Sequence, residues 1–464
     1  MTIWQPDLSG RSGPKFRQIA DAIGDGVARG RLSEGVRLPP QRDLAHALGV
    51  SLNTVSRAYA DATERGFVRG EVGRGTYVRE AGPLPSEAPA AALTRPSMGP
   101  IDFSLNLPAP GRAAAALARS LEELSASEDL AAFLDYQGAE AQDHHAAAAA
   151  QWLGRIGLAA RPDEVVLTSG AQQGLLVALL ATTRPGDALL TEALTYAPIK
   201  AMAHHLGLKL IPVSGEGGTL DPEALDAACT RTAARVLYCL PTLHTPTGAT
   251  MDAERRAAIA AVAREQGLTI IEDDVFGFLP PERPAPLACF APERTIYVTS
   301  VSKSLAPGLR IGYLHAPAEK TRALRAAVSL SSWMPPPLMA EIASRWIEDG
   351  TADALNAFQR DEAAQRQAVA RELIPSGYLE AEAHGFHLWL RLPPHWHPDL
   401  FRMEAESRGV KVLVGGAFAI DPADSPQAIR LCLSHEASRE RVRQGLAVVA
   451  ELLESPGQEG TLVL

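Results

Sequence analysis

Residues 299–314 read TSVSKSLAPGLRIGYL, and the architecture of the chain follows from how Lys303 is read within that stretch. The lysine stands between a run of strand character and a Pro/Gly turn, with Ser300, Ser302 and Arg310 close by. A lysine held near hydroxyls and an arginine can form a Schiff base with an aldehyde cofactor while its neighbours bind the cofactor's phosphate. Alone, a loop lysine is a solvated charge, so the reading depends on what else the chain carries.

Working outward, LTSGAQQGL (167–175) closes a strand-like run and opens a helical one. There Ser169, Gly170, Ala171 and Gln172 offer backbone N–H groups to a phosphate. LTIIEDD (268–274) ends in Asp273 and Asp274, and a carboxylate at the C-terminal end of a strand can pair with a protonated pyridine nitrogen. Tyr196, in LTYAPIK, can stack on such a ring or pack in its loop with a bonded hydroxyl. The runs EVVLTS, DALLTE, LKLIPV, RVLYCLP, LTIIEDD, RTIYVTS and RIGYLHA alternate with helical stretches, which predicts an α/β domain with a mostly parallel sheet. From about Thr321 the rhythm changes to long Ala/Arg/Glu-rich helices with three strand-like runs, GFHLWLRL, VKVLV and AIRLCLS, predicting a smaller α+β subdomain.

Upstream, Pro83, Pro85, Pro89, Pro96 and Pro100 mark residues 81–100 as a semi-rigid linker. Before it, Ile19, Ile23 and Val27 share one helical face, and Leu44, Ala45 and Leu48 mark a second helix ended by Gly49. Ser51 can cap a third helix through Val55 and Tyr59, and FVRGEVGRGTYV (67–78) has hairpin chemistry. Three short helices and a hairpin predict a winged helix-turn-helix over residues 1–80. The polar cluster Ser51 to Arg57 suits phosphates and base edges, although polar residues at a helix start, taken alone, are usually caps.

The chain has 464 residues, 46% hydrophobic and 21% charged, which excludes a single small module and a largely disordered chain. No stretch is long and apolar enough to span a membrane, and Met1 to Gly10 lacks a leader pattern, so a cytoplasmic protein is expected. Cys229, Cys239, Cys289 and Cys432 form no CxxC or Cys/His cluster, so free thiols and no metal are expected. The net charge is −10, yet residues 1–80 hold 12 Lys and Arg against 9 Asp and Glu. The N-terminal end alone favours phosphates.

Residues 12–80, and above all GRLSEGVRLPPQRDLAHALGVSLNTVSRAYADATERGFVRGEVGRGTYV, closely resemble the DNA-binding domain of GntR-type bacterial transcription regulators. The resemblance implies that Arg42, Ser51, Asn53, Thr54, Ser56 and Arg57 contact double-stranded operator DNA, with Arg74 at the wing tip. Leu52 stands where many relatives carry an arginine that reads guanine, so base specificity does not transfer. Residues 101–464 resemble fold-type I aminotransferases. That implies pyridoxal 5′-phosphate (PLP) bound to Lys303, Asp273 on the ring nitrogen and Tyr196 on the ring face. Ser169, Gly170, Ala171, Gln172, Ser300, Ser302 and Arg310 would surround the phosphate. Arg430, in AIRLCLS, matches the arginine that grips a substrate carboxylate, and Tyr136 resembles the tyrosine lent to the partner's phosphate site in a homodimer.

The two halves in this order resemble MocR-type regulators. Two positions depart from the aminotransferase pattern: Thr245 replaces an asparagine and Phe276 replaces a tyrosine, both of which normally bond the cofactor's phenolic oxygen. Unless His244, Thr245 or water compensates, proton shuttling suffers while capture of an amine survives. The resemblance therefore implies a regulator that senses an amine or amino acid by forming an external aldimine. The alternatives are a working aminotransferase carrying a DNA-binding domain, and a sensor of PLP itself.

Overall fold

The computed structural model describes residues 4–6, 8, 14–28, 32, 35–64, 67–71, 75–78, 99–126, 130–137 and 139–455. The chain forms two compact units, Met1–Ala90 and Ala91–Leu464. Arg74 and residues 81–98 of the expected linker lie outside the described residues.

In the first unit, helices Lys15–Ala28, Gln41–Leu48 and Leu52–Glu64 precede the antiparallel strands Val68–Glu71 and Gly75–Val78, which pair Val68 with Val78. Gly49 ends the second helix at φ 64°, a left-handed cap that a side chain would disfavour. The chain then turns at once into the third helix, where Ser51 Oγ accepts the Thr54 N–H at 3.1 Å. Ile19, Ile23, Leu38, Leu44, Val55, Tyr59, Val68 and Val78 form the buried core. Burying each large apolar side chain contributes about 1.5–3 kcal/mol, the main favourable contribution in so small a unit. The Tyr59 hydroxyl, which that burial would otherwise strand, donates to Pro39 O at 2.8 Å.

The second unit is built on a seven-stranded sheet in the spatial order Val165–Thr168, Gly312–His315, Thr295–Ser300, Thr269–Asp273, Val236–Cys239, Ala188–Glu192, Lys209–Val213. Neighbours are parallel except at Gly312–His315, which is antiparallel to both its partners. The segment RIGYLHA thus departs from the parallel pattern. Residues 301–311 contain turns and a short 3-10 helix instead of a crossover helix, so the chain can only return antiparallel. Two strands antiparallel to the same neighbour run the same way, so Val165–Thr168, Thr295–Ser300 and Thr269–Asp273 all end on one edge. Side chains alternate between two faces: Ile271 and Ile296 enter one core cluster, while Ile270 and Tyr297 enter others.

A smaller antiparallel sheet has the order Leu379–Glu380, His387–Arg391, Ala428–Cys432, Leu413–Val414. Its core includes residues from helices Thr351–Leu373, Pro398–Ser407 and Arg439–Glu454. The run VKVLV divides: Leu413–Val414 joins this sheet, whereas Val410–Lys411 pairs in parallel with Ile101–Asp102. Residue 321 falls inside helix Ala318–Ser332, whose Leu324, Ala327 and Val328 belong to the large sheet's core. The smaller layer therefore takes its substance from later residues and from Ile101 and Phe103 at the unit's start. Returning the chain in this way brings the segment after Phe103 to the edge where the large sheet's strands end.

Candidate functional site

At that edge a cavity of about 170 Å³ is lined by Asn106, Ala171, Gln172, Tyr196, Thr245, Asp273, Phe276, Ser300, Ser302, Lys303, Arg310 and Arg430 among others. Asp273 is the last residue of its strand and Ser300 the last of the next, which places both at the rim. Asp273 shares the sheet face of Ile271, and Asp274 turns the other way into an ion pair with Arg283 at 2.6 Å. Strand alternation thus decides which of the two carboxylates serves the cavity.

Tyr238 donates to Asp273 Oδ2 at 2.8 Å, while Asp273 Oδ1 is buried without a partner. Burial pushes the Asp273 carboxyl up to about 7, against the lowering effect of Tyr238. Such a group welcomes a positively charged N–H, as a protonated pyridine would present. Burial also lowers Lys303 to about 8, with Arg430 and Arg310 adding to the effect. A larger share of neutral amine near pH 7 suits bonding to an aldehyde. Lys303 Nζ donates to the main-chain oxygen of Asn106 and lies 5.7 Å from the centre of the Phe276 ring.

Helix Ala171–Thr182 begins at the cavity, where its first N–H groups have no partner within the helix. Gly170 has φ 85°, and a Cβ there would stand 2.8 Å from Arg310 Nη2. A Cβ on Gly312 would meet Gly170 C at 2.6 Å. Both glycines therefore allow the helix start, the antiparallel strand Gly312–His315 and Arg310 to close on one point. Arg310 holds a left-handed backbone, φ 53°, and donates to Ser169 O at 3.1 Å. Together with Ser300 and Ser302, this is a cradle for a dianion. Ser169 and Gly170 are not among the residues lining the cavity, and the Ser169 N–H, expected to serve a phosphate, donates instead to Gln173 Oε1 at 2.5 Å.

Arg430 lies over the Phe418 ring at 4.9 Å, donates to Ser104 O at 2.5 Å and keeps a buried Nε without a partner. Tyr196 lines the cavity, its hydroxyl pushed up to about 12 by burial. A phosphate cradle, an unpartnered carboxylate oxygen, a lysine and an unpartnered arginine nitrogen around one cavity fit PLP and an amino-carboxylate.

Two residues sit elsewhere. His244 Nδ1 lies 2.9 Å from Thr247 Oγ1 and Nε2 lies 3.0 Å from Leu194 O, so both ring nitrogens are engaged away from the cavity lining. Tyr136 is 77% exposed with its ring 5.6 Å from that of Trp333, outside its own chain's cavity. Tyr238 and Asn106 were not legible in sequence. Asn106 Nδ2 lies 3.2 Å from His387 Nδ1, joining the start of the unit to the smaller sheet.

On the N-terminal unit, Arg42 is exposed at the start of the second helix, and Ser51 and Asn53 at the start of the third. Thr54 is half-buried, its hydroxyl 2.8 Å from that of Ser51. Ser56 donates to Gln41 Oε1 at 2.6 Å and thereby ties the two helices. The Arg57 guanidinium lies 4.1 Å from the centre of the Phe16 ring. No helix among the described residues is long and apolar enough to cross a membrane.

Comparison with known proteins finds a family match for each of the two units. The family Aminotransferase class I and II matches residues 100–448, and the family Bacterial regulatory proteins, gntR family, matches residues 15–78. The uncharacterized HTH-type transcriptional regulator YdeF of Bacillus subtilis is 27% identical, with 97% of each chain covered. The vitamin B6 salvage pathway transcriptional repressor PtsJ of Salmonella typhimurium is 28% identical over 91% of this chain and 95% of its own. The fold of an archaeal alanine:glyoxylate aminotransferase superposes with a TM-score of 0.71 at 23% identity, covering 77% of this chain and 91% of that one. The chain belongs to the class I and II aminotransferase family and carries a gntR-family DNA-binding domain ahead of it, the organisation of a PLP-dependent, DNA-binding regulator of the MocR type.

Proposed function

We propose that the second unit senses a primary amine carrying a carboxylate, most simply an amino acid, and that its capture alters operator binding by the first. When bound, PLP supplies an aldehyde for which Lys303 Nζ and a ligand amine compete. Around it, Asp273 Oδ1 holds the ring nitrogen's proton, Tyr196 covers the ring, and Arg310, Ser300, Ser302 and the start of helix Ala171–Thr182 hold the phosphate. Arg430 receives the ligand carboxylate in its fork. The observation that carries this reading is the pairing, in one cavity, of Lys303 with an unpartnered Arg430 Nε.

Phe276 and Thr245 favour sensing over turnover. Phe276 brings no hydroxyl to the wall nearest Lys303, so a donor that would stabilise charge during proton transfer is missing. A homodimer working in the cytoplasm completes the proposal. Tyr136, Trp333, Leu330 and Leu134 are large exposed apolar side chains, and a second copy of the chain would cover such surface and receive Tyr136. Arg42, Ser51, Asn53, Thr54 and Arg57 make the operator contacts, with Ser56 placing the third helix.

Borohydride reduction of the coloured protein, followed by peptide mass mapping, tests the covalent link. Mass added at Lys303 supports the proposal, and an unmodified Lys303 in cofactor-supplemented protein overturns it.

A further inference from the structure

Away from the cofactor cavity, the packed helices Ala139–Gly154 and Pro337–Glu348 bring His144, His145 and Glu341 together. One ligand atom from each of the three lies within 4.8 Å of the other two. We propose that these side chains form a divalent-metal site of zinc-type chemistry, with water in the remaining position.

The spacing is close to what such an ion requires. Donors about 2.0–2.2 Å from a tetrahedral ion stand roughly 3.3–3.5 Å from one another. His144 Nε2 and Glu341 Oε2 are already 3.6 Å apart. The other separations lie within 4.8 Å, and His144, 44% exposed, can turn to shorten its own.

The neighbours of all three match what orients metal ligands. His145 Nδ1 lies 2.9 Å from Ser344 Oγ, while Nε2 is buried and has no partner. His144 Nδ1 faces the Glu348 carboxylate at 3.7 Å. Arg345 Nε takes Glu341 Oε1 at 2.6 Å, leaving Oε2 toward His144. A ligating imidazole that gives its second nitrogen to a hydroxyl or carboxylate, and a carboxylate anchored through its second oxygen, are the arrangements that fix ring orientation and basicity. The competing arrangement is a protonated His144 bridging Glu341 and Glu348, and it binds no metal.

An ion here ties together the two helices whose leading segments carry Tyr136 and Trp333. It thereby braces the surface on which Tyr136 is exposed.

The test uses the full chain loaded with cofactor, in a Cys289→Ser background so that the exposed thiol takes no metal. Zinc affinity is measured by competition with a chromogenic chelator, and retained metal is counted after dialysis. The expected result is one zinc per chain, with affinity weakened about tenfold or more by His144→Ala and by Glu341→Gln. A zinc-dependent rise in melting temperature should vanish in both variants, and His205→Ala should change neither readout. Failure of the parent protein to retain zinc overturns the proposal, and so does retention that His144→Ala and Glu341→Gln leave unchanged.

Discussion

Tyr238 donates its phenolic hydrogen to Asp273 Oδ2 across 2.8 Å; both side chains are buried, and Asp273 lines the cofactor cavity. The bond fixes one carboxylate oxygen and leaves the other, Oδ1, buried without a partner. Because Tyr238 and Asp273 come from adjacent parallel strands in fixed register, the sheet itself sets the position of that oxygen.

Replacing Tyr238 by Phe removes a hydrogen bond to a buried carboxylate, an interaction of about 1.5–3 kcal/mol. PLP affinity should fall roughly tenfold or more, since Asp273 is then less firmly held and more reluctant to ionise. Equilibrium titration with PLP checks this. A fall in melting temperature of the cofactor-free protein without any loss of PLP affinity would assign Tyr238 a packing role alone.

The raised pKa of Asp273 has an unusual sign for stability. The folded state keeps this proton up to about 7, whereas an unfolded aspartate loses it near 3.8. Between those values the folded state binds more protons, so the contribution of this group to stability falls as pH rises. Asp273→Asn should therefore stabilise the cofactor-free protein more at about pH 8 than at about pH 4, as read by melting temperature. Glu192 and Glu272, both pushed up to about 7 chiefly by burial, leave a residual fall of the same sign in the variant.

Phe276→Tyr restores a hydroxyl to the wall facing Lys303. If its absence is what limits turnover, release of keto acid from a captured amino acid should rise about tenfold, the value of one hydrogen bond to a charged group. Product assay under single-turnover conditions measures it. Unchanged release would place the limit elsewhere, for instance at Thr245.

At the other end of the chain, Arg42→Ala and Asn53→Ala should weaken operator binding without altering PLP content. Arg42→Ala should also reduce the salt slope of binding by about one unit if it meets a phosphate. Asn53→Ala should leave the slope intact and relax base preference. Titrations at several salt concentrations separate the two.

Much of this was legible in the chain because the decisive signals are local. Lys303, Asp273, Gly170 and Arg310 sit at junctions of strand, turn and helix, where a few consecutive residues determine what faces outward. The reversal of Gly312–His315 was hidden because its strand composition is that of a parallel neighbour, and only the missing crossover helix marks it. Tyr238 and Asn106 escaped for a different reason. One depends on strand register and the other on the return of Ile101–Asp102 to Val410–Lys411, and neither pairing leaves a pattern within a single segment. His144 and His145 stand in an alanine-rich helix whose partner lies far along the chain, so the cysteine spacing that signals metal sites in sequence gives no hint of them.

The central claim is that amine capture at Lys303 governs DNA binding. The most direct measurement compares operator affinity of the native protein and of Lys303→Ala, each loaded with PLP, across a panel of amino acids. The account predicts that at least one amino acid changes the affinity of the native protein together with its absorption spectrum, and that neither change occurs in the variant. An amino-acid response of equal size in Lys303→Ala would contradict it.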